Sequence, residues 1–354
     1  MSPSALPPFP ADLPIRDLLV VDFKLLKAGD KAQANALWQA ATTWGFWYLK
    51  NYEAEDCVEA MFKMGRETLV LPFEEKMKYW QGNKGASFGY KVAGATYADI
   101  DGSTDVAEFI NVSKDDAIAY PTIVHKAYPT TVNVHMEEAI RPFIRSCLET
   151  NRVLMNVFNQ KLELPAGTLS ELHCPEKECI SEARCIKVPP ASNDIKIALG
   201  AHTDFGSISF LVNRLGGLQV LVSNPKSGIG EWTYIKPIEG YAICNIGDTL
   251  SILSGGILKS CVHRVVPPPG DQAKHERWSL VYFARPTNDV YLQALSDKSL
   301  LIAEAVEKAD KSLYTPGMTA AQWFAMRQTQ HRTDSDKGID TILALGPKMV
   351  GAQV

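Results

Sequence analysis

Apolar residues recur at helical spacing along the first half of the chain and gather into short runs along the second. Residues 32–44 carry Leu37, Ala41 and Trp44 on a helical period, and 45–49 then switch to a β-like run. Residues 57–71 predict a second helix, stopped by Pro72, and 73–80 a short third. From 131 to 162, Val132, Met136, Ile140, Ile144, Leu148, Met155 and Phe158 form one stripe. That spacing predicts a long amphipathic helix, kinked or divided at Pro142, with its stripe against a sheet.

Beyond residue 183 the pattern changes. Short apolar runs fall at 195–199, 208–212, 218–222, 232–235, 241–245, 249–253, 263–266 and 278–283. Turn residues separate them: Asn-Pro-Lys-Ser-Gly at 224–228, Gly247-Asp248, Gly255-Gly256 and Pro-Pro-Pro-Gly at 267–270. Such a series predicts a mainly β fold with flanking helices and a jelly-roll (double-stranded β-helix) core. Three segments follow: a helix-rich part over 1–180 packed on the core, the core over 181–300, and a helical segment and tail over 301–354. Residues 319–330 predict one more helix, capped by Thr319 and placed to cover the barrel mouth.

The core carries the candidate chemistry. His202 and Asp204 stand two residues apart, and His263 follows 61 residues after the first. On a strand, residues i and i+2 share a face, so His202 and Asp204 can reach one metal while Thr203 points away. Only a folded sheet brings His263 alongside. Two His and one carboxylate with open positions form the ligand set of non-haem Fe(II) oxygenases. The alternative is a pair of solvated polar residues, since the chain has seven His. Arg277 and Ser279 again share one face, at the entrance of the apolar run 280–284. A guanidinium fork beside a hydroxyl suits a carboxylate. A surface ion pair is the other use of an Arg, but a charge at a buried strand entrance is costly without an anion. A metal trio plus a carboxylate clamp describes a site for an oxo acid that also chelates the metal.

With these residues in place, the sequence resembles the 2-oxoglutarate- and Fe(II)-dependent oxygenases of the isopenicillin N synthase-like family. The likeness extends to Gly217-Leu-Gln-Val-Leu221, to 244–250 and 253–260 ahead of His263, to Asp22, to Thr43-Trp-Gly-Phe-Trp47 with Asn51, and to 71–76, Phe88-Gly-Tyr90 and 105–109. It covers the chain from about Leu13 to about Arg327. The resemblance implies that His202, Asp204 and His263 ligate Fe(II). It implies that Arg277 and Ser279 hold the distal carboxylate of 2-oxoglutarate, with O2 as co-substrate. The implied reaction oxidises an unactivated C–H bond by hydroxylation, desaturation or ring formation and releases succinate and CO2. In one place the chain departs from the family. Where many members carry Asn-x-Tyr before a proline, it has Ile186 and Val188. A substrate pocket is expected around Tyr90, Phe109, Asn111, Phe205, Phe283, Trp323 and Phe324, with residues 88–104 nearby. Most of these are aromatic, which points to a mainly apolar small molecule, such as a specialised metabolite.

Composition narrows the alternatives. A net charge of −4, a pI near 6.0 and scattered basic residues argue against nucleic acid as a partner. No stretch of 18 apolar residues predicts a membrane span. The proline-rich start lacks the charged and apolar regions of a signal peptide. Seven Cys, an odd number spread over the chain, fit reduced thiols in the cytoplasm, where Fe(II) also persists. His173-Cys-Pro-Glu-Lys-Glu-Cys179 reads as a polar loop with two free thiols, not a zinc site. Three other functions remain at this point: an Fe(II) oxidase of the same fold that does not use 2-oxoglutarate, a non-catalytic ligand receptor or partner subunit, and a cupin-type hydrolase or sugar-binding jelly roll. An oligomeric or heteromeric partner is left open.

Overall fold

Two sheets, antiparallel except for one parallel edge pair, form the layers of the barrel that carries the predicted site. The computed structural model describes residues 6–99, 102–192, 196–223, 230–330 and 332–333. The strands are β1 (Val20–Asp22), β2 (Phe46–Lys50), β3 (Gly89–Lys91), β4 (Glu108–Ser113), β5 (Glu182–Val188), β6 (Leu199–His202), β7 (Ile208–Asn213), β8 (Leu218–Ser223), β9 (Gly230–Tyr234), β10 (Tyr241–Ile246), β11 (His263–Val265) and β12 (Arg277–Ala284). The helices are α1 (Phe23–Lys27), α2 (Lys31–Thr43), α3 (Val58–Leu69), α4 (Phe73–Met77), α5 (Lys114–Ala119), α6 (Thr130–Asn133), α7 (Arg141–Lys161), α8 (Thr168–Leu172), α9 (Asp248–Leu253), α10 (Leu300–Glu307) and α11 (Ala320–Gln330).

The larger sheet runs β1-β2-β10-β7-β12-β5-β4-β3, and the smaller runs β6-β11-β8-β9. Phe46 and Tyr48 of β2 and Ile243 of β10 bury against Leu218, Val220 and Val222 of β8, so apolar side chains fill the space between the layers. The opposite face of the larger sheet is covered by helices. Met61 and Phe62 of α3 and Ile144, Leu154 and Phe158 of α7 join its inward residues in the main core. Four strands of the larger sheet, β1 to β4, come from the first 180 residues.

Several predicted elements differ from those observed. The run 249–253 is the helix α9 and not a strand. Its amide neighbours are recruited by the preceding turn: Asp248 N–H donates to Asp204 O and Thr249 N–H to Gly206 O. Gly255 and Gly256, at φ 60° and 78°, end it in a left-handed turn. A short apolar run cannot by itself distinguish a buried strand from a buried helix turn. The long helix is divided ahead of Pro142, which sits in the first turn of α7 after a π-helical turn at Met136–Ile140. There its missing N–H costs no hydrogen bond. The strand expected at 195–199 begins only at Leu199, and Ile195 lies outside the described residues, as does the turn at 224–228. Thr319 caps α11 as expected: Gln322 N–H donates to its Oγ1 at 3.3 Å.

Candidate active site

The short β6–β11 ladder brings the two histidines together. His202 and His263 are direct partners in that antiparallel pair, with ring centroids 4.4 Å apart. Asp204 is not on the strand. It lies in the turn after β6, and its place comes from backbone bonds of that turn, including Asp248 N–H to Asp204 O at 2.7 Å. Even so, the three side chains converge. Asp204 Oδ1 is 3.8 Å from His202 Nε2 and 3.8 Å from His263 Nε2.

Each side chain is held by its other polar atom. His202 Nδ1 bonds Gly200 O at 2.7 Å, and His263 Nδ1 bonds Cys261 O at 3.1 Å. A carbonyl can only accept, so Nδ1 carries the proton and the Nε2 lone pairs face Asp204. Asp204 Oδ2 accepts from Ser209 Oγ at 2.5 Å and from Asn245 Nδ2 at 2.7 Å, leaving Oδ1 toward the imidazoles. Burial, with His263 adjacent, pushes His202 down to about 4, so it is neutral and able to ligate at ordinary pH. For Asp204, burial acts upward, but the facing His263 and His202 and the two hydrogen bonds outweigh it and hold the carboxyl below its ordinary value. Two neutral imidazole nitrogens and one carboxylate oxygen fit a divalent iron with open positions. Among the described residues this is the one trio of metal-ligating side chains so placed. The 173–179 loop is not one: His173 is buried between Leu169 O and Ser207 Oγ, and the Cys179 thiol donates to Ser181.

Arg277 and Ser279 lie inside the barrel on β12, opposite Val188 and Ile186 of β5. Both are almost completely buried. Arg277 Nε donates to Gly216 O at 2.8 Å and Nη1 to Ser279 Oγ at 2.6 Å, while the buried Nη2 has no partner. Burial pulls the guanidinium down to about 10. A buried N–H without an acceptor fits an anion at that position.

A cleft of about 130 Å³ opens beside His202 and Asp204. Of the residues expected to line it, Phe109, Phe205, Phe283 and Phe324 do. Tyr90, Asn111 and Trp323 do not. Tyr90 is buried and its hydroxyl donates to Glu108; Asn111 stands behind Arg184 and accepts from its Nε; Trp323 packs beside the cleft, its indole donating to Phe205 O. An aromatic or amide side chain reads alike on either side of a wall. Sequence reasoning missed Ser209 and Asn245, whose signal was a polar residue within a buried apolar run, and it missed Lys91, Arg184 and Arg285, which line the cleft.

Two family profiles match the chain. The 2OG-Fe(II) oxygenase superfamily matches residues 177–286, and an N-terminal profile described as non-haem dioxygenase in morphine synthesis matches 18–131. The 2-oxoglutarate-dependent dioxygenase iboH of Amanita muscaria is 39% identical over 149 residues, 42% of this chain and 71% of that protein. The chain belongs to the 2-oxoglutarate- and Fe(II)-dependent oxygenases. The cofactors of this oxygenase are therefore Fe(II) and 2-oxoglutarate, with O2 as co-substrate, and it acts on a small molecule. The 2-oxoglutarate-dependent dioxygenase frbH of Dothideomycetidae sp. (strain 11243) is 26% identical over 288 residues, 80% of this oxygenase and 86% of that one. A full-length Neurospora crassa protein crystallised in complex with alpha-KG has the same jelly-roll fold, with a TM-score of 0.69 at 24% identity over 92% of this chain and 99% of that one. Among the described residues no helix of the oxygenase is long and apolar enough to cross a membrane.

Proposed function

We propose that His202, Asp204 and His263 hold the iron, that Arg277 and Ser279 hold the distal carboxylate of 2-oxoglutarate, and that the cleft presents one C–H bond of a mainly apolar small molecule for hydroxylation, desaturation or ring formation. One observation carries the reading: two imidazole Nε2 atoms stand 3.8 Å from one carboxylate oxygen, while every other polar atom of the three side chains is already bonded. When bound, Fe(II) and 2-oxoglutarate reduce O2, the oxo acid leaving as succinate and CO2, and the oxidising equivalent so formed acts on the substrate.

The chain's own residues bind, orient and exclude water. Ser209 and Asn245 keep Asp204 Oδ1 turned inward. The Arg277 fork, with two N–H groups already placed, offers Nη2 to a carboxylate oxygen and Ser279 a hydroxyl beside it. The side chains of Ile186 and Val188 add no hydrogen bond there. Four phenylalanines give the cleft an apolar wall against which the substrate's apolar body can lie. A role in specialised metabolism draws on the N-terminal profile described for morphine synthesis. Action in the cytoplasm draws on the seven free thiols.

Anaerobic titration with Fe(II) and 2-oxoglutarate tests the assignment through the visible charge-transfer band of the chelate. The band should saturate in the wild type, need far more 2-oxoglutarate in Arg277→Ala and vanish in His263→Ala. A band unchanged in either variant removes the corresponding role.

A further inference from the structure

The cleft holds more positive charge than the proposed iron and 2-oxoglutarate sites use. Lys91, Arg184 and Arg285 all line it, and each is largely buried. Lys91 is matched by Asp105, to which it is salt-bridged, and the pair is neutral wherever the proton sits. That leaves Glu182, completely buried, to serve two guanidiniums. Its Oε1 accepts from Arg184 Nη2 at 2.8 Å and from Arg285 Nη2 at 3.2 Å, and its Oε2 is taken by Ser87. Two buried guanidiniums share that one carboxylate; Asp204, which also acts on Arg184, is claimed by the proposed iron, so among the described residues one positive charge of the pair keeps no carboxylate of its own.

The hydrogen bonds leave the same remainder. Arg285 is 8% exposed, donates from Nη1 to Ile180 O, and its buried Nε has no acceptor. Aromatic rings hold both planes: Arg184 lies 4.1 Å from the Phe109 centroid and 4.8 Å from Phe283, and Arg285 lies 4.5 Å from Phe324. Such stacking attracts the face of a guanidinium but accepts nothing from its N–H edge. An excess charge on buried side chains is costly unless an anion joins it.

The distal carboxylate of 2-oxoglutarate is not that anion. Arg277 pairs with Val188 in the β5–β12 ladder, and Arg184 lies four residues further along β5, roughly 14 Å away at strand rise. Arg285 follows the far end of β12, eight residues from Arg277 and roughly 27 Å along the strand. A five-carbon diacid clamped at Arg277 does not also reach Arg285.

We infer that the substrate carries a carboxylate that pairs with Arg184 and Arg285, while its apolar body lies against Phe109, Phe205, Phe283 and Phe324. This rests on the reading of the same cleft as the oxygenase's substrate site. The substrate class is thereby an aromatic or alicyclic carboxylic acid, bound as its anion and oxidised at a carbon away from the acid.

The test uses matched probes on the full chain: phenylacetate, cinnamate and naphthoate against their methyl esters, read by calorimetry and thermal shift. It is run on the metal-free protein and on protein saturated with Fe(II) and 2-oxoglutarate without O2. Acids should bind at least about tenfold tighter than their esters, the size of one charge-assisted hydrogen bond. Saturating 2-oxoglutarate should not displace them. Arg285→Gln should erase the acid preference and keep the chelate band, and Arg285→Lys should retain part of the preference. Acids binding no better than esters, or neither binding, overturns the inference in the wild type, whatever the variants do. Displacement of the acids by 2-oxoglutarate overturns it as well, because the anion site would then be the cosubstrate's. A missing chelate band in the wild type strikes the iron and 2-oxoglutarate assignments, and the acid–ester comparison on metal-free protein is read separately from it.

Discussion

Arg327 on α11 donates from Nη1 to Asp248 Oδ2 at the start of α9, at 2.7 Å. Its Nη2 reaches Thr203 Oγ1 at 3.1 Å, and Thr203 in turn donates to the same Asp248 oxygen. The C-terminal helix is thus tied to the residue between two of the proposed iron ligands, and Phe324 on that helix enters the cleft wall. Arg327→Gln removes the charge-assisted bonds, worth about 1.5–3 kcal/mol for such a group. Limited proteolysis within residues 319–330 should accelerate about tenfold or more, with the iron titration nearly unchanged. Proteolysis at the wild-type rate would mean the helix is held by packing alone.

Asn245 and Ser209 set the rotation of the Asp204 carboxylate. Asn245→Ala or Ser209→Ala should therefore lower Fe(II) affinity by about 10–100-fold, the usual cost of losing a ligand's hydrogen-bond partner. Anaerobic metal titration, with circular dichroism to establish folding, measures this. Wild-type affinity in both variants would show that Asp204 needs neither.

Gly217 places Arg277. Its φ is +108°, and a Cβ there would lie 2.4 Å from Val266 O and 3.5 Å from Arg277 Nε. Gly217→Ala should cost about 1–3 kcal/mol of stability through backbone strain. It should also raise the concentration of 2-oxoglutarate needed for the chelate band by more than it raises that of iron. Equal effects on both would place the damage in the whole barrel and not at the arginine.

His173 connects the metal loop to acid stability. Burial depresses its imidazole from 6.5 to about 4, outweighing the bond to Leu169 O that acts upward; the ring lies between Leu169 O and Ser207 Oγ. A group whose folded pKa is depressed stabilises the fold above its unfolded pKa and loses that contribution as pH falls through the folded one. Here the window runs from about 6.5 down to about 4 and amounts to about 3 kcal/mol. Urea unfolding of wild type and His173→Gln at pH values across that window should show the wild type losing stability more steeply. Parallel slopes would assign the acid sensitivity elsewhere.

The periodicity of the chain alone determines the helices α2, α3 and α7, the strand series of the barrel, and the faces that carry Arg277 and Ser279, because local apolar spacing encodes which side of an element is buried. The spacing of His202, Asp204 and His263 marks a metal trio, because the chemistry needs those residue types and few other patterns supply them. Tertiary structure alone decides the rest. It makes 249–253 a helix, since the amides of that run are claimed by the Asp204 turn. It carries Asp204 off the strand and still to the metal position, through bonds to residues some forty positions away. It separates Phe109 and Phe283, which face the cleft, from Tyr90 and Asn111 behind its wall. It also sets two guanidiniums against one carboxylate, which no local pattern records, because charge balance in a cleft depends on which side chains share it, and long-range strand pairing settles that.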